Sequence, residues 1–194
     1  MVVKSRSTRM LFHLFSDHDT DIHMAQLSKT GCFVIILNYN SSKDTVSLYK
    51  ELISYGMESK AIQVIDNHSN PSEIEHLKAN IPPTRLILNE KNHGYAGGNN
   101  IGIARAIREG AKYVWILNAD IRLEPDTIEV LLALIESDEK LAAVGPRVCE
   151  RGNPPKIVSD GAYVDTVDNC KIMLRNYHCI PQECDNETYV PHPS

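Results

Sequence analysis

The chain has 194 residues, 42% of them apolar and 23% charged, with a formal net charge of −5, enough for one domain that buries roughly 70% of its unfolded surface. The acidic balance, with no Lys/Arg stripe interleaved with aromatics, excludes a broad nucleic-acid footprint, and without a run of about 18 apolar residues no membrane-spanning helix is predicted. Five cysteines (Cys32, Cys149, Cys170, Cys179 and Cys184) include no C-x-x-C pair, which excludes a zinc ribbon and fits a reducing, cytoplasmic setting.

Residues 1–30 carry no sustained hydrophobic period and are expected to form a disordered extension outside the fold. Lys4, Arg6 and Arg9 precede the apolar run MLFHLF, which is too short for a secretory signal and leads into DHDTDIH. A weak surface-anchoring helix is the alternative reading. His13, His18 and His23 recur every five residues among Asp17, Asp19 and Asp21, whereas ligands on one helix face stand three or four apart, so no metal site is predicted there. Deleting this extension is expected to leave the melting temperature nearly unchanged.

From Cys32 the pattern turns regular. CFVIILN is a near-continuous apolar run, the mark of a strand covered on both faces, with Cys32 as a buried thiol. Ser41 and Asp44 form an S-x-x-D capping signal before a helix that turns Val46, Tyr49, Leu52 and Ile53 inward and stops at Gly56. AIQVID is a second strand. Asn70-Pro71 opens a helix with proline in its first turn, running to Ala79. Pro82-Pro83 breaks the chain before the strand RLIL. A helix from Gly98 to Glu109 follows, then the strand YVWIL, a helix from Pro125 to Ser137 with Ile128, Leu131, Leu132 and Ile135 on one face, and the strand LAAVG.

This alternation of strands and helices predicts an α/β fold with a doubly wound, mostly parallel sheet. After Pro146 regularity fades, with two short strands at most in RVCERGNPPKIVSDGAYVD and no period in the last twenty residues. The domain is therefore expected over residues 31–165, and residues 166–194 read as an irregular tail.

Open parallel sheets bind ligands beyond the carboxyl ends of their strands, and four polar clusters fall at such ends. They are Asn38-Tyr39-Asn40, Asp66-Asn67-His68-Ser69, the stretch from Asn89 to Asn99, and Asn118-Ala119-Asp120. The third holds Gly94, Gly97 and Gly98 just before a helix. Glycines let backbone approach a ligand closely, and a helix start offers N–H groups to a diphosphate or a sugar. Asp120 at a strand end suits a hard divalent cation, which takes one or two carboxylates beside phosphate oxygens; a loop aspartate ahead of Pro125 is the alternative. Asp66 could accept from a base or ribose hydroxyls, or close an Asx-turn. Tyr39 could stack on a base or pack its own loop. His68 and His93 have no evident partner and read as structural. Neither G-x-G-x-x-G, nor a P-loop, nor a G-x-S-x-G elbow occurs.

VIILNYN, VIDNHSN, NHGYAGGNN and WILNADI, in this order and spacing, resemble the inverting family 2 glycosyltransferases of GT-A fold, with the rhamnosyltransferase-like branch nearest. The resemblance covers about residues 32–165. It implies a transferase of polysaccharide biosynthesis that moves a sugar from a UDP- or dTDP-linked donor to a saccharide or lipid-linked acceptor, in the cytoplasm or peripherally at the inner face of the membrane. Asn38, Tyr39 and Asn40 would line the nucleoside pocket; Asp66 and Asn67 would meet the base or ribose. Asn92, Gly94, Gly97, Gly98 and Asn99 would lie against the diphosphate and donor sugar. The family's acidic metal motif stands here as Asn118-Ala119-Asp120, leaving Asp120 as the ligand of Mg2+ or Mn2+ and Asn118 as a neutral oxygen beside it. The general base, an aspartate on the acceptor side, is expected beyond residue 194, with no substitute among Asp160, Asp165 and Asp168. Two other classes stay open: a non-catalytic nucleotide-sugar binding module, and a nucleotidyltransferase, disfavoured because its first strand should lead into a glycine-rich loop.

Overall fold

The computed structural model describes residues 2–4, 31–160, 162–165, 171–174, 177 and 179–181. The histidines of the leader, Asp168 and most of the expected tail lie outside the described residues. The chain divides into two compact units, Met1–Val144 and Gly145–Ser194, so the first unit ends well before the boundary expected at residue 165.

Among the described residues the first unit is a six-stranded sheet flanked by four α-helices. Its strands are β1 (Val2–Lys4), β2 (Cys32–Asn38), β3 (Ile62–Asp66), β4 (Leu86–Leu88), β5 (Tyr113–Asn118) and β6 (Ala143–Val144), in the order β4-β3-β2-β5-β1-β6. The strands β4, β3, β2 and β5 run parallel, as the alternation predicted; β1 lies antiparallel between β5 and β6. The helices are α1 (Ser42–Ser54), α2 (Pro71–Asn80), α3 (Gly94–Arg108) and α4 (Thr127–Ser137).

Side chains of a strand alternate between faces, and both faces are covered here. Val34, Ile36, Val64, Trp115 and Leu117 enter the larger core with Val46 and Leu52 of α1, Leu77 of α2, and Ile128, Leu131 and Ile135 of α4. Ile35, Ile65 and Val114 face the other way, against Ala106 of α3. Continuous apolar strands are what such two-sided burial demands. Cys32 is buried, and burial pushes its thiol up to about 12, which leaves it neutral and unreactive at physiological pH.

Three local expectations change. Ser41 flanks α1 but its side chain makes no capping bond. Glu73 of α2 instead accepts the Ser42 N–H at 2.8 Å, and the Ser42 hydroxyl and N–H hold the Glu73 carboxyl below its usual range. Ile53, expected to face inward, is exposed. The largest change is at the N-terminus, because Val2–Lys4 pairs with both β5 and β6. Three residues, two of them valine, show no period in the sequence, yet the backbone groups of two neighbouring strands give them partners. Deleting residues 1–30 is therefore expected to lower the melting temperature by several degrees, at about 2–4 °C for each kcal/mol lost. An unchanged transition would show that β1 contributes nothing.

Among the described residues the second unit holds two antiparallel pairs, β7 (Val148–Cys149) with β8 (Ile157–Ser159) and β9 (Ala162–Asp165) with β10 (Lys171–Leu174). Ile157 is buried, and its N–H donates to the Cys179 carbonyl at 2.9 Å. Among the described residues no helix is long and apolar enough to cross a membrane.

Candidate functional site

Register brings the strand ends level. Asn38 of β2 stands opposite Asp66 of β3, Asp66 opposite Leu88 of β4, and Leu37 opposite Asn118 of β5. The polar clusters after these strands therefore share one rim, as the sequence pattern implied.

The floor of the rim is a closed hydrogen-bond network. Asn38 Nδ2 donates to Asp66 Oδ1 at 2.7 Å and to Ser69 Oγ at 3.0 Å, and Asn38 Oδ1 accepts from Thr45 Oγ1 at 2.7 Å. Asp66 Oδ2 accepts the Ser69 N–H at 3.0 Å, three residues on and so one beyond the Asx-turn that was the alternative reading. Asp66 and Asn38 are both 0% exposed. Asn38 was expected to line a nucleoside pocket and Asp66 to meet a base or ribose; here their polar atoms are engaged inside the protein, where Asp66 braces the loops after β2 and β3. Those loops expose Tyr39, Asn40 and His68. Asn40 and His68 have φ of 51° and 70°, a left-handed conformation uncommon for a residue with a Cβ. Ser69 Oγ accepts the Asn40 N–H at 2.8 Å, and Asn40 Oδ1 accepts the Asn70 N–H at 2.8 Å, which hold this loop shape.

Asn67 is the hub of the neighbouring loop. Its Nδ2 donates to Asn92 Oδ1 at 2.8 Å and to the Gly94 carbonyl at 3.1 Å; its Oδ1 accepts from Asn89 Nδ2 at 3.2 Å and from the His93 N–H at 3.0 Å. That fills the capacity of one carboxamide. Asn67 is itself buried, so it too shapes the rim from within. Asn92, which is exposed, also accepts the Gly94 N–H at 2.8 Å.

The glycine stretch is a helix, not a loop. The helix expected from Gly98 begins at Gly94, and Gly94 turns the chain into it with φ of 70°. Gly98 is needed for packing. A Cβ there would stand 2.5 Å from Leu37 Cδ1, so the helix rides close enough to β2 that any larger residue must push the Leu37 side chain aside. Gly97 lies against the His93 ring stem in the same way. Backbone at Gly94 is exposed, with its N–H donated to Asn92 Oδ1, and a helix start is where an anion is favoured.

Across the rim, Tyr95 is 61% exposed, and its hydroxyl donates to Asn118 Oδ1 at 3.1 Å. Sequence reasoning passed over Tyr95; an aromatic set between glycines at a strand end was the available signal. Asn99, one turn on, is buried and donates from Nδ2 to the Tyr95 carbonyl at 3.0 Å. Asp120 is exposed beyond β5. The loop that follows it is gripped by α1 and the turn after it. The Tyr55 hydroxyl donates to Glu51 Oε1 at 3.1 Å and to the Leu123 carbonyl at 3.3 Å, and burial together with the Glu51 carboxylate pushes the Tyr55 phenol up.

Among the described residues no three His, Cys, Asp or Glu side chains cluster, so the protein alone offers no complete cage for a cation. A hard cation that arrives with a diphosphate needs only one or two carboxylates. Asp120 fits that shared arrangement, with Asn118 as a neutral neighbour whose oxygen is engaged by Tyr95. In the second unit, Asp160 accepts from Arg147 Nε at 2.9 Å and Nη2 at 3.0 Å.

The loops after β2 and β3, the start of α3 and Asp120 gather polar groups at one end of a parallel α/β sheet. The chain belongs to Glycosyl transferase family 2, whose model matches residues 33–188. Its sheet is the GT-A type that the motifs implied. It is similar to the low-salt glycan biosynthesis hexosyltransferase Agl10 of Haloferax volcanii, with 28% identity over 139 residues, 71% of this chain and 43% of that protein. It is also similar to the galactofuranosyltransferase GlfT1 of Mycolicibacterium smegmatis, with 25% identity over 126 residues, 65% of this chain and 41% of that protein. The chain spans less than half the length of these curated relatives, and neither is named as a rhamnosyltransferase. A solved mannosyltransferase, PcManGT of Pyrobaculum calidifontis in complex with GDP-Man and Mn2+, superposes with a TM-score of 0.42 at 18% identity, over 54% of this chain and 32% of that one.

Proposed function

We propose that this chain supplies the nucleotide-sugar donor site of an inverting glycosyltransferase. The observation that carries the reading is the convergence on one rim of the loops after β2 and β3, the N-terminus of α3 and Asp120 after β5. Family membership supports transfer chemistry, and the similar hexosyl- and galactofuranosyltransferases support a sugar as the transferred group. The nucleoside would lie along Tyr39, Asn40 and His68, above the Asn38–Asp66–Ser69 brace. The diphosphate would meet the first N–H groups of α3 near Gly94 and Asn92.

In the reaction served by such a site, an acceptor hydroxyl gives its proton to a base and attacks the anomeric carbon as the nucleoside diphosphate departs. The helix start favours the leaving group's growing negative charge, since its dipole and N–H groups are already aimed there. Asp120, with Asn118 beside it, would hold Mg2+ or Mn2+, which when bound offsets charge on the leaving phosphates. Tyr39 offers a face on which a base can stack. A lipid-linked acceptor would bring the protein to a membrane surface, and a saccharide acceptor would not.

A thermal-shift panel of UDP, dTDP and GDP, each with and without Mn2+, tests the reading. At least one nucleotide is expected to raise the melting temperature, and Mn2+ to enlarge the rise. No shift with any of them would contradict it.

A further inference from the structure

The segment that follows β5 alternates in burial. Asp120, Arg122 and Glu124 are exposed, while Ile121 and Leu123 are half-buried against the larger core. A slip of one residue would turn Asp120 toward the protein. The grip that prevents it comes from α1. Glu51 in its last turn and Tyr55 just after it, an i, i+4 pair, meet both backbone groups of Leu123. Glu51 Oε1 accepts the Leu123 N–H at 3.4 Å. The Tyr55 hydroxyl, 3.3 Å from the Leu123 carbonyl and 3.1 Å from Glu51 Oε1, closes the clasp. Packing beneath it is incomplete. A cavity of about 10 Å3, lined by Leu52, Trp115, Leu123 and Pro125 among others, has room for about one water. The indole N–H of Trp115, a residue 1% exposed, meets no acceptor among the described residues. The ion pair of Arg122 with Asp44, exposed and 3.9 Å apart, adds little. The clasp on Leu123 is therefore what sets how this segment stands.

We propose that Glu51 and Tyr55 are positioning residues for the divalent cation: by clasping Leu123 they keep Asp120 turned to the rim, an inference that rests on the nucleotide-sugar reading above. They act through the backbone, three residues from the carboxylate, and touch neither cation nor nucleotide. A cation such as Mg2+ tolerates little departure from its preferred geometry. Its apparent affinity falls by the fraction of time the carboxylate is in place, so a loosened clasp is read as weaker metal binding. The effect is one of position, not of charge. Glu51 Oε1 makes both contacts of the carboxylate, and a carboxamide oxygen can accept in its place. The nucleotide contacts assigned to the loops after β2 and β3 and to the start of α3 do not pass through this segment, so binding without metal is untouched.

Calorimetric titration of the full chain with UDP, dTDP and GDP, each without and with Mn2+, tests the inference. The ratio of the two dissociation constants is the gain due to metal. Tyr55→Phe, which deletes one oxygen and keeps the ring, is expected to lower that gain by about two- to tenfold, the net worth of one hydrogen bond. Glu51→Ala is expected to lower it by about tenfold, and Glu51→Gln to keep most of it. Metal-free binding is expected to stay unchanged in all three. On an Asp120→Asn background, where the gain is already lost, adding Tyr55→Phe is expected to change nothing further, the non-additivity of residues that act through one another. An undiminished gain in Tyr55→Phe and Glu51→Ala would overturn the inference. So would equal losses with and without Mn2+, which a purely structural clasp would give, or a Glu51→Gln as impaired as Glu51→Ala. If Glu51→Ala does not fold, Tyr55→Phe and Glu51→Gln decide. A wild-type chain that binds no nucleotide would instead remove the donor-site reading, and the inference with it.

Discussion

Asp66→Ala is expected to destabilise the first unit by about 2–5 kcal/mol, since two buried donors lose their acceptor and each such loss costs about 1–3 kcal/mol. The donors are Asn38 Nδ2, 2.7 Å from Asp66 Oδ1, and the Ser69 N–H, 3.0 Å from Asp66 Oδ2. No solvent reaches Asp66 to replace the lost oxygens. Total stabilities of domains run to about 5–15 kcal/mol, so the loss takes a large part of the fold's margin. Asp66→Asn keeps one oxygen but sets an amide N–H2 against a donor, and is expected to fall between wild type and Asp66→Ala. Urea denaturation monitored through Trp115 measures both. A change below about 1 kcal/mol for Asp66→Ala would mean that the network is not what holds the rim together. Nucleotide binding is expected to weaken with and without metal, because the loops that carry Tyr39, Asn40 and His68 lose their brace.

The second large effect separates Asp120 from that brace. A nucleoside diphosphate with Mn2+, at about 100 times its dissociation constant, stabilises a fold by roughly 2.7 kcal/mol. Asp120→Asn is expected to remove the metal-dependent part of this gain and to leave metal-free binding and the unliganded melting temperature nearly as they were. Asp120 is exposed, and exposed substitutions away from packed features usually change stability by about 0.5 kcal/mol or less. Equal losses with and without Mn2+ would show that Asp120 acts on the fold or on the nucleotide itself, not through a cation.

The strands were legible because two-sided burial writes itself as an unbroken apolar run, as in CFVIILN and YVWIL. Proline in the first turn of α2 was legible because its constraint is local. The departures all come from contacts distant in sequence. Glu73 takes the capping role that Ser41 and Asp44 advertised, from thirty-one residues away. The glycines of α3 read as a loop, since glycine disfavours helix, yet Gly98 sits in helix where a Cβ would run into the Leu37 side chain. A strand-end aspartate reads the same whether it points to a ligand or to the protein, and only the positions of Asn38 and Ser69 turned Asp66 inward. The rim was correctly located from four polar clusters. Which members touch the outside was not, because burial is a property of neighbours. Tyr95 and His68 are exposed where Asp66, Asn67 and Asn38 are hidden.

The location of the donor site is tested most directly by a 15N-resolved NMR titration of the chain with UDP, dTDP or GDP in the presence of Mg2+. The account predicts that the amide shifts concentrate at Tyr39, Asn40, His68, Gly94, Tyr95 and Asp120, while Arg85, Glu109 and Lys112 at the opposite end of the sheet stay still. Shifts centred on that opposite end, or spread evenly with none at Gly94 and Tyr95, would contradict it.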